Sequence, residues 1–168
     1  RALAAIGADG DPALVAALFD RFRARYAQEP CRASSLYPGA IELLDQLAAA
    51  GRPLGLCTNK PQGATDGLLA ALGIRDRFAA VLGGDALPVR KPDPGHLAAV
   101  LAAMAAPADR AVMVGDSRND LVTARGLNVP CILVSFGYTD RPARELGADA
   151  VIDRLSDLPE TLRRLAPA

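Results

Sequence analysis

Residues 111–120 read AVMVGDSRND. A short continuous apolar run that ends at a glycine is the pattern of a strand covered on both faces, and the polar residues after it open a helix. Asp116 falls in the turn between the two, and Asp120 lies one helical turn further on. Both carboxylates therefore sit just beyond the carboxyl end of a buried strand, where open α/β sheets bind their ligands. Aspartate by itself carries little weight here, because the chain has 15 Asp against 4 Glu. Placement distinguishes these two, and helix capping by Asp116 or Ser117 is the plainer use of the same residues.

The same alternation continues on both sides of this stretch. PLGLCT (53–58), FAAVLGG (78–84), PCILVSF (130–136) and DAVI (149–152) read as further strands. Helices are predicted from Pro38 to Gly51, from Pro61 to Gly73, and over 94–105, 118–126, 141–146 and 156–165. Strands that alternate with helices predict an α/β fold: a Rossmann-like, doubly wound parallel sheet with helices on both faces. Upstream, helices are predicted over 2–7 and 12–27, the second capped by Asp11 with Pro12 at its first position. EPCRASSLYPG (29–39) breaks the helical pattern with prolines and serines and marks a domain junction near residues 31–37.

Composition narrows the function classes. The chain of 168 residues suits one domain, or a core domain with part of another. Its 19 basic and 19 acidic residues cancel, which excludes the basic excess expected of a nucleic-acid or anionic-membrane partner. No apolar run reaches the roughly 18 residues a membrane-spanning helix needs. Cys31, Cys57 and Cys131 show no CxxC spacing and are expected to be reduced, buried thiols of a cytoplasmic protein. With His96 as the single histidine, no familiar zinc spacing is present.

The strand exits collect the polar chemistry. Thr58 and Asn59 follow the 53–58 strand, Lys91 follows the 78–84 strand after a spacer, and Asp116, Ser117 and Asp120 follow the 111–115 strand. Asp116 is a hard oxygen donor suited to Mg²⁺, and Asp120 can reach the same ion or orient its waters. Seventeen of the 19 basic residues are Arg, and the only lysines, Lys60 and Lys91, both lie in strand-exit segments. A compact ammonium at 91 suits a phosphoryl oxygen or a neighbouring aspartate; Lys60 reads as a solvated lysine near a helix start. Thr58 can donate its hydroxyl to a phosphate oxygen, and Asn59 can hold a substrate or nucleophile through its amide.

In this order the segments resemble the haloacid-dehalogenase-like hydrolase superfamily, and within it the phosphoglycolate phosphatases. LCTNKP is similar to the second family motif, VRKPDPGHL to the third and MVGDSRNDLVTAR to the fourth, while SFGYTD (135–140) and ELGADAVID (145–153) are similar to the phosphoglycolate phosphatase tail. The resemblance implies that Thr58, Asn59 and Lys91 bind phosphate, with Thr58 and Lys91 taking part in catalysis. It also implies Asp116 as a Mg²⁺ ligand supported by Asp120, and a small phosphorylated metabolite as substrate. Residues 1–34 would be the carboxy-terminal part of a helical cap, and 35–168 the core.

One family feature is missing. The first motif, DxDGT at the end of a central strand, supplies the nucleophilic and acid/base aspartates, and this sequence does not contain it. ADGD (8–11) follows a helical segment and precedes Pro12, so it is no substitute. The expectation is an additional amino-terminal segment that brings this strand, and a 168-residue chain that is inactive without it. Two unpaired interior strand edges would then invite pairing with another chain, including a homodimer. Alternatives are a non-catalytic phosphate-binding relative, a phosphosugar mutase or another small-phosphate phosphatase. A two-component receiver domain, which also binds Mg²⁺, has its residues in a different chain order.

Overall fold

The computed structural model describes residues 11–28, 31, 34–139 and 141–165. The first helix, α1 (Pro12–Gln28), starts where the Asp11 carboxylate accepts the N–H groups of Ala13 and Leu14 at 2.9 and 3.1 Å. The alternating part then runs α2 (Ala40–Ala49), β1 (Gly55–Cys57), α3 (Gln62–Ala71), β2 (Ala80–Leu82) and α4 (Pro94–Ala103). It continues with β3 (Met113–Gly115), α5 (Arg118–Arg125), β4 (Cys131–Val134), β5 (Ala150–Ile152) and α6 (Leu158–Leu165). The helix expected over 2–7 lies outside the described residues.

Two local expectations are corrected. The stretch expected as a helix over 141–146 makes only a 3₁₀ turn at Ala143–Glu145. The last helix divides into a 3₁₀ turn, Leu155–Asp157, and α6. Pro159 explains where α6 begins, since a residue without an N–H is tolerated only in the first turn of a helix.

Every strand pair is parallel, with Leu56 opposite Val81, Val114 opposite Ile132 and Leu133 opposite Val151. The pairs form two ribbons, β1–β2 and β3–β4–β5, and no described strand bonds one ribbon to the other. Burial follows this layout. Cys131, Ile132 and Leu133 of the central strand β4 are 0% exposed, whereas Val114 on the edge strand β3 is 39% exposed.

Helices cover both faces of the ribbons. Alternate residues of β4 point to opposite sides. Cys131 and Leu133 pack with Leu97, Val100 and Leu101 of α4 and Leu121 and Ala124 of α5. Ile132 and Val134 pack with Leu43 and Leu47 of α2 and Leu158 and Leu162 of α6. A third cluster seats Leu69 of α3 against Val81 of β2. The α4–α5 cluster also takes in Cys57 and Ala80 of the first ribbon and Met113 of the second. An apolar helix layer therefore spans the gap that strand hydrogen bonds leave open. At Gly55 a Cβ would lie 2.6 Å from Val100 Cγ1 and 2.4 Å from Met104 Sδ, so the missing side chain lets α4 seat directly on β1.

No helix among the described residues is long and apolar enough to cross a membrane. All three cysteines are free; Cys57 and Cys131 are buried, and Cys31, expected to be buried, is only partly so. Ile132→Ala is expected to cost about 2–5 kcal/mol, as truncation in a closed core does. Val114→Ala is expected to cost less than about 1 kcal/mol because the site is partly solvated. Urea unfolding of the 168-residue chain checks both values, and equal costs would contradict the edge position of β3.

Candidate active site

The turns that leave β1 and β2 are pressed together. Thr58 extends the strand ladder by donating its N–H to the Leu82 carbonyl at 3.1 Å. Its hydroxyl oxygen accepts the Lys60 N–H at 3.2 Å, which leaves the hydroxyl hydrogen to point elsewhere. The Gly84 N–H donates to the Lys60 carbonyl at 2.8 Å, and the Gly83 N–H donates to Gln62 Oε1 at 2.6 Å. In return, the Gln62 N–H donates to Asp85 Oδ1 at 2.6 Å, which caps the start of α3. A Cβ at Gly84 would stand 2.4 Å from the Asn59 carbonyl oxygen, so only glycine allows this approach.

Asn59 ties this pair of turns to the next segment. Its Nδ2 donates to the Lys91 carbonyl at 2.8 Å. Lys91 then reaches the second ribbon, where Nζ donates to Asp120 Oδ1 at 2.6 Å. The two side chains are 13% and 4% exposed, so the ion pair is almost wholly withdrawn from water.

Asp120 is fully engaged. Its Oδ2 accepts the Ser117 hydroxyl at 2.7 Å and the N–H groups of Ser117 and Asp116 at 3.1 Å each. Burial pushes this carboxyl toward its neutral form. The Lys91 charge and hydrogen bond, with those from Ser117 and the Asp116 N–H, outweigh burial and hold it below the ordinary carboxylate range. The capping role suggested for Ser117 is therefore real: Ser117 and Asp120 form a reciprocal capping box at the start of α5, and Asp120 also bonds Lys91.

Asp116 has a different environment. Its Oδ2 accepts the Tyr138 N–H at 2.9 Å, and no hydrogen bond among the described residues takes up Oδ1. Two neighbouring groups are chemically quiet. Burial pushes the Cys57 thiol up to about 11, with Asp120 adding and Lys91 opposing, so it is no thiolate nucleophile. His96 is fully buried, and burial, followed by the Lys91 charge, lowers its pKa and keeps it neutral.

The sequence-predicted residues thus form one connected set, from Thr58 and Asn59 through Lys91 and Asp120 to Asp116. Sequence reasoning missed the contribution of Gln62, Asp85, Gly83 and Gly84, although the glycine pair before Asp85 is a visible sign of close backbone approach. The described residues hold no cluster of three or more His, Cys, Asp or Glu side chains for a metal. Mg²⁺ needs no such cage, because it takes one or two carboxylates and fills its shell with water and substrate phosphate. The open Oδ1 of Asp116 fits that role. Asp120, whose two oxygens are occupied, fits the supporting one.

The fold is thus of the parallel α/β class, with a hydroxyl, an ammonium and an open carboxylate at its strand exits. Residues 5–134 match the family described as haloacid dehalogenase-like hydrolase. Phosphoglycolate phosphatase of Rhodospirillum rubrum is 46% identical over 166 residues, a stretch that spans 96% of this chain and 69% of that protein. Phosphoglycolate phosphatase of Caulobacter vibrioides is 45% identical over 175 residues, 100% of this chain and 72% of that one.

Among solved structures, a predicted phosphoglycolate phosphatase from Haemophilus somnus 129pt superposes with a TM-score of 0.80 at 30% identity. The match covers 84% of this chain, which spans only 64% of that structure. CbbY from Rhodobacter sphaeroides in complex with phosphate superposes with a TM-score of 0.76 at 27% identity, over 89% and 68% of the two chains. The chain belongs to the haloacid dehalogenase-like hydrolase family.

The Lys91–Asp120 pair yields a direct test. Asp120→Ala leaves a buried ammonium unpaired and is expected to cost about 3–5 kcal/mol in urea unfolding. Adding Lys91→Ala is expected to cost less than the sum of the two single variants. Because the folded pKa of Asp120 is lowered, its contribution is complete above the unfolded value of about 3.9 and is lost as pH falls through the folded one. A wild-type acid-unfolding profile unchanged by Asp120→Asn would contradict this.

Proposed function

We propose that the intact protein is a Mg²⁺-dependent phosphatase that hydrolyses a small phosphate monoester, with 2-phosphoglycolate as its substrate. The observation that carries this reading is the Lys91–Asp120 ion pair beside the open Oδ1 of Asp116. The names of the two relatives at 45–46% identity support the choice of substrate.

Each residue has a role that its bonds permit. The Thr58 hydroxyl, whose oxygen already accepts the Lys60 N–H, donates its hydrogen to a phosphoryl oxygen. Lys91 has three N–H donors and spends one on Asp120, so two remain to offset phosphoryl charge. Asn59 holds the Lys91 segment in register through its amide and borders the phosphate site. Asp116 offers Oδ1 to Mg²⁺, and Asp120 fixes the turn that carries it. The ion, when bound, supplies positive charge opposite the phosphoryl oxygens.

The attacking group comes from elsewhere in the intact protein. In the two-step course implied by family membership, a carboxylate attacks phosphorus, the alcohol leaves, and water hydrolyses the aspartyl-phosphate. No residue of this chain stands in a DxDGT context, so the 168 residues by themselves are expected to show no turnover. Free cysteines favour a cytoplasmic setting for the intact protein, and the open ribbon edges would invite pairing with a second copy only in the 168-residue chain by itself.

The test is a panel of small phosphate monoesters assayed with the intact protein, with and without Mg²⁺. The highest kcat/KM is expected with 2-phosphoglycolate, and Asp116→Ala is expected to lower kcat by about 10²-fold or more. Turnover that survives chelation of divalent cations, or an Asp116→Ala variant as active as wild type, would sink the proposal. Phosphate binding without turnover by the intact protein would point to a binding module.

A further inference from the structure

The turn after β4, residues 135–138, reaches back across the sheet end to β3. There the Tyr138 N–H donates to Asp116 Oδ2 at 2.9 Å. The residue before it, Gly137, lies so close that an added Cβ would stand 2.1 Å from Asp116 Cβ and 2.8 Å from Asp116 Oδ2. Gly137 is not among the glycines with positive φ. Glycine is therefore demanded here by space and not by backbone conformation. On the other side of the turn, the Phe136 ring meets the Tyr37 ring edge-on, with centroids 4.9 Å apart and planes at 64°. That contact pins the turn to the segment entering α2. Asp116 is gripped twice: Asp120 Oδ2 holds its N–H at 3.1 Å, and the Tyr138 N–H holds one carboxylate oxygen.

We infer that the Gly137–Tyr138 backbone is a positioning device for Asp116. It fixes the carboxylate so that Oδ1 alone faces a cation, and Gly137 is a positioning residue because any larger side chain displaces the group it serves. The inference rests on the reading of Asp116 as a Mg²⁺ ligand. A carboxylate held in one rotamer before the ion arrives has less freedom left to lose on binding. Partners that orient a metal ligand typically change metal affinity or activity by about 10–100-fold when removed.

The experiment uses the full-length protein and Mg²⁺ alone, followed by isothermal titration calorimetry, with thermal unfolding recorded in parallel. Gly137→Ala is expected to weaken Mg²⁺ binding about tenfold or more in molecules that remain folded. A glycine with a purely structural role would lower the unfolding temperature and leave the folded fraction with wild-type Mg²⁺ affinity, which would overturn the inference. In case Gly137→Ala does not fold, hydrogen exchange at the Tyr138 amide is compared between wild type and Asp116→Ala. Exchange about tenfold faster in the variant is expected, one factor of ten being about 1.4 kcal/mol of lost protection. Equal exchange rates overturn the clamp. A wild-type protein that binds no Mg²⁺ overturns the ligand reading of Asp116 and the clamp together, whereas normal binding by both wild type and Gly137→Ala overturns the clamp alone.

Discussion

One buried ion pair joins the two halves of this molecule. Lys91 hangs from the segment after β2, and Asp120 sits in the first turn of α5 after β3. The two ribbons share no strand-to-strand hydrogen bonds among the described residues. The apolar α4–α5 layer joins them on one face, and the Lys91–Asp120 bond joins them at the strand exits. Taking two charges out of water is costly, and the mutual attraction offsets that cost only when the remaining lone pairs are also satisfied. Asp120 meets that condition, since its second oxygen accepts three donors from the turn it caps. The same residue thereby links the two ribbons at their strand exits, starts α5 and orders the backbone of Asp116.

Close backbone approach is the second constraint, and glycines meet it. A Cβ at Gly83, Gly84, Gly115 or Gly137 would come within 2.5 Å of Gln62, Asn59, Asp120 or Asp116 respectively. Each of these glycines lies at the carboxyl end of a strand or in the turn that follows. The strand exits are thus packed tightly enough for side chains of different turns to share hydrogen bonds without intervening water. The low polarity behind them has a chemical consequence. Burial keeps Cys57 and Cys131 protonated, Cys131 with a pKa pushed up to about 12, so neither is a thiolate nucleophile.

Much of this was legible in the chain. The helix cap at Asp11 follows from local spacing, and the alternating strands and helices follow from short apolar runs separated by turn residues. Strand exits are marked by the end of each apolar run. Thr58, Lys91, Asp116 and Asp120 could therefore be assigned to one sheet edge before any coordinates. The position of Asn59 at a strand exit was legible, but its amide is committed to the Lys91 carbonyl, which no local pattern shows. The short helix expected over 141–146 is only a 3₁₀ turn, because so few residues do not repay the cost of helix nucleation.

By itself the sequence determined the α/β class, the parallel order and the identity of the residues at the strand exits. These depend on hydrophobic period and on chain position, which are local quantities. Only the tertiary structure decided how those residues divide the work. The bonds that matter join positions 22, 23, 29 and 32 apart: Tyr138 to Asp116, Gln62 to Asp85, Lys91 to Asp120, and Asn59 to Lys91. Which oxygen is occupied and which is open depends on how turns meet in space, and no periodicity along the chain encodes that.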